Sequence, residues 1–261
     1  MEQDAHLHLR EKVALVTGGD TGIGRAIALA FAREGASVVV DYHGASPPAQ
    51  ELVEQIESLG ARAVAVAADI SKPDEVERLV GTAVEAYGGL DILVNNAGIE
   101  EQHPFLEMPL EVWNNVIAVN LTGVWLCTQT AARHMVERKR GGRIINISSV
   151  HEDMAMPTNA PYCAAKGGLR MLMRTVAVEL APYGITVNDV APGAIDTPMD
   201  AALKRDPVKM RQLLSEIPAG RMGTPEEVAG LCVFLASDAA AYVTGATYVI
   251  DGGMTKNARS L

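Results

Sequence analysis

Thr17-Gly18-Gly19-Asp20-Thr21-Gly22-Ile23-Gly24 is the stretch whose reading decides the fold. Before it stands Val13-Ala14-Leu15-Val16, an unbroken apolar run that reads as a strand buried on both faces. After it, Ile23, Ala26, Ile27, Ala30 and Phe31 recur at helical spacing, and Gly35 ends that helix. Glycines between a strand and a helix let the backbone turn tightly and approach a ligand closely. The helix start adds unpaired N–H groups and the positive end of its dipole. Such a turn suits a pyrophosphate, and a turn needed only for packing is the competing reading.

The same alternation continues outward. Apolar runs at 37–40, 63–67, 92–94, 143–147, 185–190 and 247–250 read as further strands. Helical patterns fall between them at 50–59, 110–138 and 164–180. Another helix opens at Ser71-Lys72-Pro73-Asp74 with Ser71 as N-cap, and the last opens at the capping box Thr224-Pro225-Glu226-Glu227. Strands apolar throughout and separated by helices predict an α/β fold. It is a doubly wound seven-stranded parallel sheet with helices on both faces. One domain is expected over 13–261, after a flexible polar arm at 1–12. Only 196–215 breaks the rhythm, with Pro198 and Pro207 among charged residues, and reads as a partly helical lid.

Composition excludes several partners. The 261 residues carry a formal charge of −10, which repels nucleic acid backbones and anionic membranes. Arg138-Lys139-Arg140 reads as a helix end complementing its own dipole. Cys127, Cys163 and Cys232 form no metal or CxxC pattern, so free thiols in a reducing compartment are expected. His6-x-His8 in the arm has no further ligands nearby in sequence, and no metal is expected. The N-terminus lacks the apolar core of a signal peptide, which points to the cytoplasm.

Tyr162 and Lys166 stand four apart, so a helix puts them on one face. A phenol with a pKa of about 10 is a poor base, and a nearby ammonium favours its phenolate. Ser148-Ser149 closes the strand before them, and Asn120 sits in a helical stretch that disfavours asparagine.

The glycine spacing is T-G-x-x-x-G-I-G rather than the common G-x-G-x-x-G. With Asn95-Asn96-Ala97-Gly98, Tyr162-x-x-x-Lys166 and Pro192-Gly193 in order, the chain resembles the classical short-chain dehydrogenase/reductase family nearly end to end. The resemblance implies a Rossmann fold and hydride transfer with a nicotinamide cofactor. It implies Asn120, Ser149, Tyr162 and Lys166 as catalytic residues. Ser149 holds the substrate oxygen, with Ser148 as its competitor, and Asn120 holds a water that relays protons from Lys166. It places the cofactor on Gly18, Asp20, Thr21, Gly22, Ile23 and Gly24, then Tyr42 and His43, then Asp69 and Ile70. Asn96, Ala97 and Gly98, the pair Tyr162 and Lys166, and Pro192, Gly193, Ile195 and Thr197 complete that set. Asp69 has a competing reading as a helix cap. A homotetramer is implied as well.

NAD is the preferred cofactor on this reading, with NADP as the alternative. The family's acid that binds the ribose falls at Tyr42, and Asp41 is one place early and faces away. The usual basic position for NADP is Thr21, preceded by Asp20, and His43 is the one candidate cation in the second turn. Segments 95–100, 148–152, 191–195 and 251–256 are similar to bacterial glucose 1-dehydrogenases. That likeness implies a sugar-like substrate, its hydroxyls held by Glu100 and His151 beside Ser149 and Tyr162. Asp196, Met154-Ala155-Met156 and His43 depart from that pattern. The alternatives are a ketone reductase, including the 3-oxoacyl type, and a cofactor-binding sensor without catalysis.

Overall fold

Side chains alternate along a strand, so a strand apolar throughout needs a core on each face. The computed structural model, which describes residues 7–198 and 201–257, supplies both. In β1 (Val13–Val16), Ala14 and Val16 join one core, with Ile27 and Phe31 of α1 (Gly22–Arg33). Leu52 of α2 (Pro47–Ser58) and Leu235 of α9 (Pro225–Ala236) belong to that core too. Val13 and Leu15 join the other, under α3 (Pro73–Tyr87), α5 (Val124–Arg138) and α6 (Ala160–Leu180). Each fully buried branched aliphatic side chain contributes about 1.5–3 kcal/mol.

The remaining strands are β2 (Ser37–Tyr42), β3 (Ala63–Ala67), β4 (Ile92–Asn95), β5 (Gly142–Ile147), β6 (Ile185–Pro192) and β7 (Thr247–Ile250). All seven are parallel, in the order β3-β2-β1-β4-β5-β6-β7. The order reverses between β1 and β4. There the loops leaving the carboxyl ends diverge and open the crevice where such sheets bind ligands. Helix α4 (Leu110–Ile117) runs through a π turn at Ala118–Gly123 into α5. Two short helices, α7 (Ala201–Lys204) and α8 (Pro207–Glu216), fill most of the expected lid.

Several boundaries differ from expectation. Helices α2 and α6 begin three and four residues early, because Pro47 and Pro161 sit in the first turn, where a missing N–H costs nothing. The N-cap of α3 is Lys72, not Ser71, whose hydroxyl bonds Asp69 instead. The capping box at Thr224 and Glu227 forms as read. Of the expected arm, His6 lies outside the described residues, and 7–12 pack on the domain. Leu9 is fully buried in the first core, and its N–H donates to Glu34 O at 2.9 Å.

Leu9→Ala tests that docking. A buried leucine truncation costs about 2–5 kcal/mol, so the melting temperature should fall by several degrees. An unchanged melting temperature would mean that the segment is not part of the packed unit.

Candidate active site

The glycine turn is held from two sides. Asn96 Nδ2 donates to Thr17 O at 3.0 Å and to Gly18 O at 2.8 Å. Thr17 Oγ1 accepts from the N–H groups of Asn96 and Ala97 at 3.0 and 3.1 Å. These bonds pin the loops after β1 and β4 together across the sheet's switch point. From β2, Asp41 Oδ2 accepts the Gly18 N–H at 3.1 Å, and its backbone carbonyl accepts that of Gly19 at 2.7 Å.

Geometry requires glycine at more than one place in this turn. Gly22 has φ +51°, the left-handed region that favours glycine. A Cβ on Gly24 would lie 2.2 Å from Gly18 O and 2.5 Å from Asn96 Nδ2. Thr21, the N-cap of α1, makes no side-chain cap bond, so the helix's first N–H groups are not consumed by it. Thr197 borders the turn, 3.6 Å from where a Gly22 Cβ would stand. Bare backbone, uncapped N–H groups and a dipole's positive end fit a pyrophosphate.

Around that cradle the expected contacts divide. Thr21 and His43 are exposed, and Asp20, Ile23 and Tyr42 are partly buried. Asp20 Oδ2 accepts from Ser46 Oγ at 2.6 Å, which fixes a carboxylate beside the turn. Asp69 caps no helix. Its Oδ1 accepts from the N–H and hydroxyl of Ser71 at 2.9 and 2.7 Å, a local turn. Ile70 is buried against Gly123 in the second core, leaving only its backbone to face a ligand. Pro192 ends β6, Gly193 N–H donates to Ile250 O at 2.9 Å, and Ile195 is buried in the first core.

The catalytic candidates gather at the carboxyl end of β5. Lys166, on α6, is buried, and its Nζ donates to Ile147 O at 2.8 Å. Burial pulls its pKa down to about 8, resisted by the anionic fields of Asp189 and Glu152. The ammonium stands 5.6 Å from the centre of the Tyr162 ring, one helical turn away. Ser148 and Ser149 separate by environment. Ser148 Oγ donates to Glu152 Oε2 at 2.6 Å and is spent there. Ser149 Oγ only accepts, from His151 N–H at 3.2 Å, and keeps its own proton to give.

His151 meets the Tyr162 ring edge-on, with centroids 6.4 Å apart. Its Nδ1 faces Met154 O at 3.2 Å. A carbonyl can only accept, so Nδ1 carries the proton and Nε2 of the neutral ring is an acceptor. Glu100 is partly buried on the loop after Gly98, and its Oε1 accepts from Gln102 at 2.9 Å. Asn120 lies in the π turn, fully buried. Its side chain is used twice on Ile99, accepting from N–H and donating to O, both at 2.8 Å. The side chain is therefore a clamp on the loop after β4 and is not free for another partner.

Three acids in this region were not singled out for a role by sequence. Asp41 holds the glycine turn, Glu152 holds Ser148, and Asp189 lies buried in β6, its field reaching Lys166. Each interrupts an apolar run or follows the candidate serines, the one trace the sequence carries of them.

A family model described as enoyl-(acyl carrier protein) reductase matches residues 18–255. The 3-oxoacyl-[acyl-carrier-protein] reductase of Synechocystis is 49% identical over 247 residues, covering 94% of this chain and 98% of that one. Glucose 1-dehydrogenase 2 of Bacillus subtilis is 44% identical over 249 residues, covering 95% and 96%. The crystal structure of a short-chain type dehydrogenase/reductase from Mycobacterium marinum superposes with a TM-score of 0.91 at 40% identity, covering 96% and 98%.

Burial pushes the Asp41 carboxyl up to about 7, partly offset by the Gly18 N–H and reinforced by Asp20. The native state then keeps a proton that the unfolded chain, at an ordinary 3.8, has lost. Stability falls as pH rises from about 4 to about 7 and levels off above. Asp41→Asn removes this share of the slope. The variant should melt above the wild type at pH 8 and together with it at pH 4. A difference constant across that range would contradict the burial of an uncompensated acid here.

Proposed function

The chain belongs to the short-chain dehydrogenase/reductase family, and on that premise we propose a proton and hydride path built on Ser149, Tyr162 and Lys166. It is an oxidoreductase that moves hydride between a nicotinamide cofactor and an alcohol or ketone. The observation that carries the residue assignment is the buried Lys166 ammonium one turn from the Tyr162 phenol.

The cofactor, when bound, supplies the hydride acceptor or donor. The N–H groups of 22–24 would hold its pyrophosphate, with Gly18, Asp20, Thr21, Asn96, Ala97, Gly98, Gly193 and Thr197 lining the site. Backbone at Asp69, Ile70, Pro192 and Ile195 completes the lining. Lys166 stabilises the phenolate, so Tyr162 takes the alcohol proton in oxidation and returns it in reduction. Ser149 donates to the substrate oxygen as charge develops there. The main chain at Asn120 holds the water that connects Lys166 to solvent. Residues 196–215, apart from the undescribed 199 and 200, form a lid over the crevice.

NAD is the preferred cofactor. Asp20 presents a fixed carboxylate, Thr21 offers no cation, and Tyr42 and His43 line the adenosine side, so a 2′-phosphate finds little compensation. NADP is accepted less well. The substrate is a polyhydroxylated, sugar-like alcohol. His151 Nε2 and the Glu100 carboxylate are acceptors suited to its hydroxyls, and a glucose dehydrogenase stands among the relatives. A 3-oxoacyl or general ketone reduction is the second reading, favoured by the 49% identity to the Synechocystis reductase. The intact Ser149, Tyr162 and Lys166 speak against a sensor without catalysis.

Working assembly is a homotetramer. Leu110, Trp113 and Trp125 on α4 and α5, and Val249 on β7, are exposed apolar groups that a second copy would cover. The cytoplasm suits three unpaired cysteines.

Tyr162→Phe should retain cofactor affinity, read by titration, and lose about 10²-fold or more of kcat. Retained turnover would remove Tyr162 from the path. A panel of sugars, secondary alcohols and ketones with both cofactors tests the substrate. Glucose-type oxidation with higher kcat/KM for NAD is expected. Strong ketone reduction without sugar oxidation would move the assignment to the reductase.

A further inference from the structure

The second core contains a row of polar side chains that a sheet interior would not ordinarily hold. Asn95, Asn146 and Asp189 lie side by side on β4, β5 and β6, in register. All are buried, and Asp189 is completely so. Asn95 Nδ2 donates to Thr128 Oγ1 at 3.0 Å and to Asn146 Oδ1 at 2.8 Å. Asn146 Nδ2 donates to Asp189 Oδ1 at 2.8 Å. The direction of the row follows from its end. An ionised carboxylate can only accept, so Asn146 turns its amide toward Asp189 and its oxygen toward Asn95. Each amide then donates toward the same carboxylate.

That supply reaches one oxygen only. Asp189 Oδ2 has no hydrogen-bond partner among the described residues. A buried carboxylate with half its valence unmet is costly unless an opposite charge is near. Lys166 is carried by α6, whose Met173 and Ala177 pack in the second core with Val187, two residues before Asp189 on β6, so the two charges share that face beyond direct ion-pair contact. It bonds Ile147 O, one residue along β5 from Asn146. Two other charges bear on Asp189, namely Glu152 and Arg174. Glu152 is committed to Ser148, with Arg170 Nε 3.5 Å from its Oε1.

We propose that Asp189 is the counter-ion of Lys166, a positioning residue that keeps the ammonium charged in its buried site and through it sets the protonation of Tyr162. The proposal rests on the reading of Tyr162 and Lys166 as the proton-handling pair. Groups facing Lys166 are Tyr162 of its own helix, Asp189 of β6, Glu152 of the 150–152 turn and the Ile147 carbonyl of β5. Burial drives Lys166 toward losing its proton, and burial drives Asp189 up to about 7. Above that point Asp189 is anionic and holds the lysine proton in place.

The test is Asp189→Asn, which keeps shape and removes charge. Lys166 is followed by NMR of ¹³Cε-labelled lysine in protein without cofactor, its resonance assigned by loss in Lys166→Arg. The Lys166 midpoint should fall by about one pH unit, and the alkaline limb of kcat for oxidation should move down with it. A lower kcat with an unmoved midpoint would mean a merely structural role and overturn the proposal. Should the variant fail to fold, the wild type decides. Its Lys166 signal should carry a second inflection coincident with ionisation of the Asp189 ¹³Cγ, and a single inflection independent of Asp189 would overturn the proposal. Coupling in the NMR titration together with full turnover in Lys166→Met would leave the ion pair standing and defeat the catalytic reading.

Discussion

The site depends on one buried ammonium. The buried side chain of Lys166 reaches from α6 to the carbonyl of Ile147. That contact ties the helix carrying Tyr162 to the end of the strand that leads into Ser149. Water is excluded, so each charge nearby acts strongly. The same exclusion weakens the lysine's hold on its proton. A buried cation that must stay charged therefore needs anions placed around it, and Glu152 and Asp189 are the two whose fields reach it.

Parallel topology makes those placements possible. Register puts Asn95, Asn146 and Asp189 shoulder to shoulder, so the amide of one strand serves the carboxylate of the next and is itself served from the strand before. The reversal of strand order between β1 and β4 leaves their loops free to diverge. Asn96 and Thr17 then bind them at their base. Asp41 and Asp189 are alike in this respect. Each is a buried acid in a sheet strand, and each carries stability lost as pH rises. One holds the glycine turn, and the field of the other reaches Lys166.

The alternation of strands and helices was legible because apolar runs and amphipathic patterns are local. The glycine turn and the Tyr162–Lys166 spacing were legible for the same reason. Leu9 was not, since one leucine among polar neighbours carries no period. Pro47 and Pro161 lie in first turns that precede the apolar period, so the period alone places both helix starts late. The side chain of Asn120 looked available to a water, and its partner Ile99 lies 21 residues away. Which serine is spent turned on Glu152, and the load on Lys166 turned on Asp189. Those partnerships are set by packing between strands and helices, which spacing along the chain does not report.

The fold, the turn and the polar row converge on the charge state of one phenol. The most direct measurement is the pH titration of phenolate absorbance near 295 nm, made on the protein without substrate. The chain has six tyrosines, few enough for one displaced titration to be resolved. One phenolate should appear well below the ordinary tyrosine value of about 10, vanish in Tyr162→Phe and move upward in Lys166→Met. A curve with no early phenolate, or one that Lys166→Met leaves in place, would contradict a buried ammonium governing Tyr162.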